Sequence, residues 1–329
     1  MREEDTPIYT SSRSRRHLGQ PGQGRRLPVL LLLLVAALAT GVVVFVAGAG
    51  GDSEAPSGQV VIVRGEEPML EASAERLRSA APSELKKRLA PLLGTRTEER
   101  RGRTRVVLKT DRRKLVARVR AAADDGEGRV VIPERPVSAS TRLPIVRQAL
   151  RNNCETAALS MLLAGEGFGG DQLALQRQLK KSRPLDPRQD ARGEMVWGDP
   201  DRGFVGRADG GGPAGGYGVY EGPIRALAGS GGVQLEDVGG GRPARIYRRL
   251  LAGRPVLVWV GLSEGPYETW RSPEGRPIRG NFGEHTVVLT GIREGKLEVN
   301  DPLDGQRKTW SREQFEELWP RLGRRALSL

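Results

Sequence analysis

The chain has 329 residues and a mass of 35.8 kDa, which exceeds the usual size of one domain and predicts two folded units with ample length for a core. Its hydrophobic content of 37% is compatible with a globular protein, with many of the 44 glycines and 22 prolines expected in loops. The net charge of +13 could suggest nucleic acid, but basic and acidic residues are interspersed, as at 96–105, and no basic stripe with interleaved aromatics is present, so no nucleic-acid partner is expected.

The first predicted element is the uncharged stretch PVLLLLLVAALATGVVVFVAGAG at residues 28–50. About 20 apolar residues in a helix are enough to cross a hydrocarbon core of about 30 Å. Arginines precede the stretch and acidic residues follow it, so the positive-inside rule predicts a basic cytoplasmic tail at 1–27 and an extracytoplasmic remainder at 51–329. The sequence therefore predicts a single-pass signal anchor in the cell membrane. A cleaved signal peptide, with its cleavage site at 47–49, is the alternative.

Residues 51–138 are predicted to form a small α/β module next to the membrane. The expected strands are 58–65, 105–110 and 128–134, and the expected helices are 69–80, 83–93 and 112–123, with Ser83 and Asp111 as N-caps of the last two. The module contains no histidine, cysteine or phosphate-binding loop, so we expect a spacer or docking surface. Proline and serine in the segment 133–144 predict a link to the next domain, which begins at residue 139.

Cys154 is the only cysteine of the chain. In an exported protein it is either a free thiol or part of an intermolecular bridge. Asn152 or Asn153 is expected to cap a helix that has Cys154 in its first turn and is buried along its length, since residues 157–163 are apolar on nearly every face. The helix N-terminus is expected to lower the pKa of the thiol, as a nucleophile requires. The alternative is a cysteine packed like alanine in a core.

His285 is the only histidine predicted to lie on the same side of the membrane as Cys154, because His17 belongs to the predicted tail. It directly precedes a β-branched run typical of a buried strand, and a turn at 293–296 leads to a second strand that ends at Asp301. In such a hairpin the two side chains lie at the same end. We therefore expect the carboxylate to orient the imidazole.

An oxyanion formed on an acyl carbon needs positioned donors. Gln148 is the candidate donor, acting with the backbone amide of Cys154. Taken alone it is better interpreted as a surface glutamine, and the presence of Cys154, His285 and Asp301 reverses that preference. Glu155 stands beside the thiol and is expected to oppose its ionisation. One histidine and one cysteine cannot supply a zinc site, so neither a metal nor another cofactor is expected.

Six stretches in residues 140–329 together resemble the papain-like cysteine peptidases that are grouped with the bacteriocin leader-processing peptidases, in the branch that lacks a transporter. The stretches are RQALRNNCETAALSMLL, GDPDRGFVGRADGGGPAGGYGVYEGPIRALA, GRPVLVWVGL, GEHTVVLTGI, VNDPLDG and FEELWPRLGRRAL. Their order and spacing agree with that family, and residues 1–138 lie outside the resemblance.

The resemblance implies an α+β papain-like fold for residues 139–329, in which a central helix packs on an antiparallel sheet. It implies Cys154 as nucleophile, His285 as general base and acid, Asp301 as the residue that orients the imidazole, and Gln148 in the oxyanion hole. The corresponding activity is that of a hydrolase of the thiol protease class, with a peptide or protein substrate and no cofactor.

The sequence as a whole thus predicts a membrane-anchored, extracytoplasmic cysteine peptidase that acts on a peptide or peptide-like amide. A transpeptidase or an amidase would use the same groups. Two alternatives remain: an idle papain-fold module that binds envelope peptides, and a scaffold in which the basic membrane-proximal module is the functional part. The net positive charge is expected to form a solvated surface, with attraction to anionic envelope polymers or lipid head groups as the alternative.

Overall fold

The computed structural model describes residues 58–126, 128–210 and 215–329. The predicted tail at 1–27 and the predicted membrane segment at 28–50 lie outside these residues. Within the described ranges, no helix combines the length and the apolar content needed to cross a bilayer.

The described residues form nineteen strands and eight α-helices. The strands are β1 (Gln59–Arg64), β2 (Glu67–Ser73), β3 (Thr95–Arg100), β4 (Thr104–Thr110), β5 (Arg129–Val131), β6 (Glu134–Thr141), β7 (Lys181–Ser182), β8 (Arg188–Gln189), β9 (Met195–Val196), β10 (Phe204–Gly206), β11 (Gly216–Gly218), β12 (Glu236–Asp237), β13 (Val256–Gly261), β14 (Tyr267–Arg271), β15 (Pro277–Asn281), β16 (Glu284–Arg293), β17 (Lys296–Asp301), β18 (Gln306–Trp310) and β19 (Ala326–Ser328). The helices are α1 (Ala74–Ser79), α2 (Pro82–Arg88), α3 (Arg112–Asp125), α4 (Cys154–Gly165), α5 (Gln172–Gln178), α6 (Glu221–Ser230), α7 (Pro243–Leu251) and α8 (Arg312–Leu318), with short 3-10 helices at Ala90–Leu92 and Trp319–Leu322.

The first module has a core of its own between α1–α3 and a sheet with the order β2-β1-β5. Asp111 caps α3 as expected, because its side chain accepts a hydrogen bond from the Lys114 amide at 3.1 Å. The predicted cap of α2 is wrong: the helix begins at Pro82, whose fixed φ suits the first helical position, and Ser83 lies inside the helix.

The predicted helix at 69–80 is partly wrong. Residues up to Ser73 form β2, which pairs antiparallel with β1, and only α1 is helical. Gly65, with φ +65°, turns the chain between the two strands. Pairing with a β-branched strand therefore outweighs the local helical pattern.

The segment predicted to be a link, 133–144, is mostly the strand β6. It pairs antiparallel with β4 along its length and with β16 at Ala139 and Ser140. Pro136 lies where the register with β4 shifts, a position that tolerates the missing amide hydrogen. The module and the C-terminal block therefore share one nine-stranded sheet, in which β12-β19-β13-β16-β6-β4-β3 are successive neighbours and β17 and β18 extend from β16. The predicted domain boundary falls inside a strand of this sheet.

The C-terminal block has the expected mixed α+β architecture, with one buried helix against a largely antiparallel sheet. Cys154 to Leu163 of α4 are all buried. Side chains alternate across each strand, so Trp259 and Val288 pack in the core that contains α4, whereas Val258 and Val287 pack in a second core with α7 and α8.

Three strand ends meet at one end of this sheet. Gly261, the last residue of β13, pairs with Glu284, the first residue of β16. The end of β17, at Asp301, lies beside the same part of β16. The N-terminus of α4 reaches this end, because Cys154 contacts Glu284. Cys154, His285 and Asp301, which are far apart in sequence, therefore lie at the same end of the sheet.

Candidate active site

The expected contact between His285 and Asp301 is present. His285 Nε2 lies 2.6 Å from Asp301 Oδ1, and both side chains are buried. They come from the neighbouring strands β16 and β17, as the hairpin predicted. An ionised carboxylate can only accept, so Nε2 holds the proton and Nδ1 is the basic nitrogen.

Asp301 is held by two further donors. Its Oδ1 accepts the Leu303 amide at 2.9 Å, and its Oδ2 accepts Lys308 Nζ at 2.7 Å. Burial alone would raise the pKa of Asp301, but the hydrogen bonds from His285, Lys308 and Leu303 bring the pKa below its usual value. The carboxylate is therefore ionised at neutral pH. Sequence reasoning missed Lys308; the only signal is its place on β18, the strand that follows Asp301 in a hairpin.

Cys154 is the first residue of α4, and Asn153 occupies the cap position. The Asn153 side chain does not cap the first turn; its Oδ1 accepts the Leu150 amide at 2.8 Å, which fixes the loop before the helix. Cys154 Sγ lies 3.5 Å from Glu155 Oε2 and 3.9 Å from Glu284 Oε2. The sulfur therefore lies beside the residue that directly precedes His285 on β16.

The thiol does not have the lowered pKa that its helix position predicted. Burial raises the pKa of Cys154 well above its usual value, and the nearby Glu155 and Glu284 carboxylates raise it further. The predicted lowering is wrong, and the opposing effect expected of Glu155 is confirmed. Within the described residues, no hydrogen bond joins Cys154 to His285, and the side-chain acceptors next to the thiol are the two carboxylates.

The two carboxyl groups lie next to each other, with oxygens within 4.8 Å. Glu155 is fully buried and its Oε1 accepts the Val219 amide at 2.6 Å, whereas Glu284 is half-buried and its Oε1 accepts the Thr286 hydroxyl at 3.2 Å. Burial raises the pKa of Glu155 to about 7; burial and the Glu155 charge raise the pKa of Glu284 well above its usual value. The pair therefore retains a proton at neutral pH. Sequence reasoning missed Glu284, although its position directly before His285 was a signal.

Gln148 is not free to donate in this structure. Its NH2 group donates to the carbonyls of Leu150 and Arg151 at 2.9 and 2.8 Å, which uses both hydrogens. The backbone amide of Cys154 has no hydrogen-bond partner in the part of the chain that the structure describes. That amide can donate a hydrogen bond to an oxyanion without any rearrangement. The role of Gln148 stays a prediction, because its side chain would have to turn before it could donate.

The described residues contain one group whose ligand atoms could hold a metal ion. It consists of Cys154, Glu155 and Glu284, whose ligand atoms lie within 4.8 Å of one another. A metal would have to displace the protons that the thiol and the carboxyl pair retain. The sequence-based expectation that the protein uses no metal stays a prediction.

Comparisons with known proteins cover the same part of the chain. A model of the Peptidase_C39 like family matches residues 140–327, which include all four predicted site residues. The uncharacterized protein YvpB of Bacillus subtilis (strain 168) is 32% identical over 182 residues, which are 54% of this chain and 69% of that protein. A crystal structure from Bacillus anthracis, described as that of a C39-like peptidase, superposes with a TM-score of 0.49 at 30% identity over 56% of this chain and 92% of that chain. By the family match and the similarity to YvpB, the chain belongs to the Peptidase_C39 like family.

Proposed function

We propose that the chain is a cysteine peptidase that hydrolyses a peptide or peptide-like amide, with Cys154 as nucleophile, His285 as general base and Asp301 as the orienting residue. The observation on which this depends is the 2.6 Å contact between His285 and Asp301, at the same end of the sheet as the N-terminus of α4. Membership of the Peptidase_C39 like family supports the assignment.

The proposed reaction uses groups of the chain alone. His285 Nδ1 takes the thiol proton as Cys154 Sγ attacks the amide carbonyl carbon, and the backbone amide of Cys154 donates to the oxyanion. The imidazolium, stabilised by Asp301, then protonates the departing amine as the C–N bond breaks. Water, deprotonated by the same imidazole, cleaves the thioester, and the thiol regains its proton.

The raised pKa of Cys154 determines how this reaction starts. A preformed thiolate would face two carboxyl groups in a buried position, which is costly. The proton is therefore removed by the imidazole during the attack, rather than lost to solvent beforehand. We expect general-base activation in place of a resting thiolate–imidazolium pair.

The same proposal includes where the peptidase acts. The uncharged stretch at 28–50 and the arginines before it support a single-pass anchor in the cell membrane, with residues 51–329 extracytoplasmic. The substrate would then be a peptide or protein of the envelope. We also assign the chain to the branch of the family without a transporter.

A second candidate is a papain-fold module that binds envelope peptides without cleaving them. The observation that favours it is the protonated thiol, whose side-chain acceptors are Glu155 and Glu284 and not the imidazole. In that case the cleft would hold a peptide and the His285–Asp301 pair would be a structural remnant.

Incubation of the full-length chain with a library of synthetic envelope peptides, followed by mass spectrometry, tests the peptidase. We expect cleavage that Cys154→Ala abolishes and that Asp301→Asn slows by about 100-fold or more, because the imidazole loses its orienting carboxylate. Glu264→Gln, which removes an exposed charge, should cleave at the wild-type rate.

Cleavage that persists in Cys154→Ala would contradict the peptidase. Peptides that bind the wild-type chain and remain intact would favour the binding module.

A further inference from the structure

In the part of the chain that the structure describes, the carboxyl pair beside Cys154 has no cationic partner. Within the described residues, no salt bridge reaches Glu155 or Glu284, although the chain contains 53 lysines and arginines. Buried carboxylates are normally paired with a cation, because an isolated buried charge is costly. Here the compensation comes from a retained proton and from neutral donors, the Val219 amide and the Thr286 hydroxyl.

The backbone fixes the close approach of the two carboxyl groups. Gly218 passes both of them with φ +132°, a conformation that side-chain-bearing residues rarely adopt. A Cβ at this position would lie 2.5 Å from Glu155 Oε1 and 3.1 Å from Glu284 Oε2. The observed arrangement of the pair therefore requires a glycine at position 218.

The two groups differ in what they can contact. Glu155 is fully buried, and one of its oxygens is taken up by the Val219 amide. Glu284 is half-buried at the first position of β16, and its Oε2 lies on the side of the sulfur, 3.9 Å away. A group of a ligand that reaches the sulfur therefore lies beside both carboxyl groups, of which Glu284 is the less buried.

We infer that Glu284, backed by Glu155, is a subsite that selects a cationic group next to the bond attacked by Cys154. The inference rests on the proposed function and specifies its substrate class: a peptide with an ammonium or guanidinium group beside the scissile amide. A cation at this position would replace the retained proton and pair with the carboxylates in a poorly solvated place, where such attraction is strong. An anionic group at the same position would be repelled.

The single cysteine allows a test that needs neither the natural substrate nor turnover. Methanethiosulfonate reagents transfer their thioalkyl group to the Cys154 thiolate, which forms a disulfide and releases methanesulfinate. Rates are measured on the full-length chain by mass spectrometry, with the cationic 2-aminoethyl reagent and the anionic 2-sulfonatoethyl reagent. The ratio of the two rates is divided by the same ratio for N-acetylcysteine, so that the intrinsic reactivities and the thiol pKa cancel.

We expect the normalised ratio to favour the cationic reagent by about tenfold or more in the wild-type chain. Glu284→Gln should bring the preference below about threefold, because an amide keeps the shape of the side chain but cannot give up a proton and pair with the cation. Glu264→Gln is the matched control. Glu264 follows the end of β13 that pairs with Glu284, and its carboxylate is 86% exposed, so the preference should remain when this charge is removed.

Three results would overturn the inference: a normalised ratio near one in the native wild-type chain, a preference that Glu284→Gln leaves unchanged, or a preference that persists in guanidinium chloride. The last comparison uses the wild-type chain alone, so the test holds even where Glu284→Gln fails to fold. A failure of the proposed peptidase would appear differently, as intact peptides with the charge preference still present.

Discussion

At the scale of single residues, the site is organised by two neighbours on one strand. His285 contacts Asp301, and Glu284, directly before it on β16, contacts Cys154. The first contact could be predicted, because a short hairpin brings its two ends together whatever the rest of the fold does. The second could not, because it depends on where α4 meets β16, and no local pattern around Glu284 encodes that distance.

Glu155 predicts a pH dependence of stability. Its pKa is about 7 in the folded protein against a usual value of 4.5, so the folded chain retains a proton that the unfolded chain has already lost between these values. The free energy of unfolding therefore falls as the pH rises from about 4.5 to about 7. Glu155→Gln keeps an acceptor for the Val219 amide but does not titrate.

Between about pH 5 and about pH 8, we expect the free energy of unfolding to fall less in this variant than in wild type. The difference between the two falls should be up to roughly 3 kcal/mol. Guanidinium unfolding of both chains at the two pH values measures the difference, with Glu264→Gln as control. An identical pH dependence in Glu155→Gln and wild type would show that the carboxyl titrates normally.

At the scale of elements, β6 shows the limit of local patterns. Its sequence, ERPVSAST, contains three residues that favour turns and does not alternate clearly, so it predicts a link. It forms a strand because it pairs antiparallel with both β4 and β16. By contrast, α4 and the β16–β17 hairpin could be predicted, because their apolar runs have the length of one element and are bounded by turn residues.

The contact between β6 and β16 depends on a glycine, which gives a prediction at this scale. A Cβ at Gly291 would lie 2.8 Å from Glu298 Oε2 and 2.9 Å from Ser140 Cα, and closer still to the Ala139 carbonyl. Gly291→Ala should therefore push the strands apart and lower the free energy of unfolding by about 1–3 kcal/mol. Amide hydrogen exchange at Ala139 and Ser140 should become faster.

Gly94→Ala is the matched control. It has nothing within 4 Å of its Cβ position and no positive φ, so its effect should stay within about 0.5 kcal/mol. Equal stabilities of Gly291→Ala and Gly94→Ala would show that β6 and β16 can separate at no cost.

At the scale of the whole molecule, the two expected units are joined more closely than the composition indicated. The module has a core of its own, as its length and apolar content predicted. Its strands β3 and β4, however, belong to the large sheet, and Arg101 pairs with Glu166, just past α4, at 2.6 Å. Arg103 also donates to the Ala164 carbonyl at 3.0 Å. Composition gives the number of cores, but it contains no information on which sheet edges pair.

This continuity predicts that the module and the C-terminal block unfold together. All five tryptophans, at 197, 259, 270, 310 and 319, lie in the C-terminal block, so their fluorescence reports on that block alone. Leu115 is fully buried in the core of the module, and Leu115→Ala should cost about 2–5 kcal/mol. If the shared sheet couples the two cores, this change must lower the midpoint of the tryptophan transition in guanidinium chloride, although no tryptophan is near Leu115 in sequence.

Far-UV circular dichroism, which reports on both parts, should then shift by the same amount, in one transition. Val131→Ala, at a position 47% exposed on β5, serves as control and should move neither signal. Only coupled cores transmit the loss of the Leu115 side chain to the tryptophans of the C-terminal block. A tryptophan midpoint that stays at the wild-type value, while circular dichroism resolves two steps, would therefore mean that β6 links two independent domains.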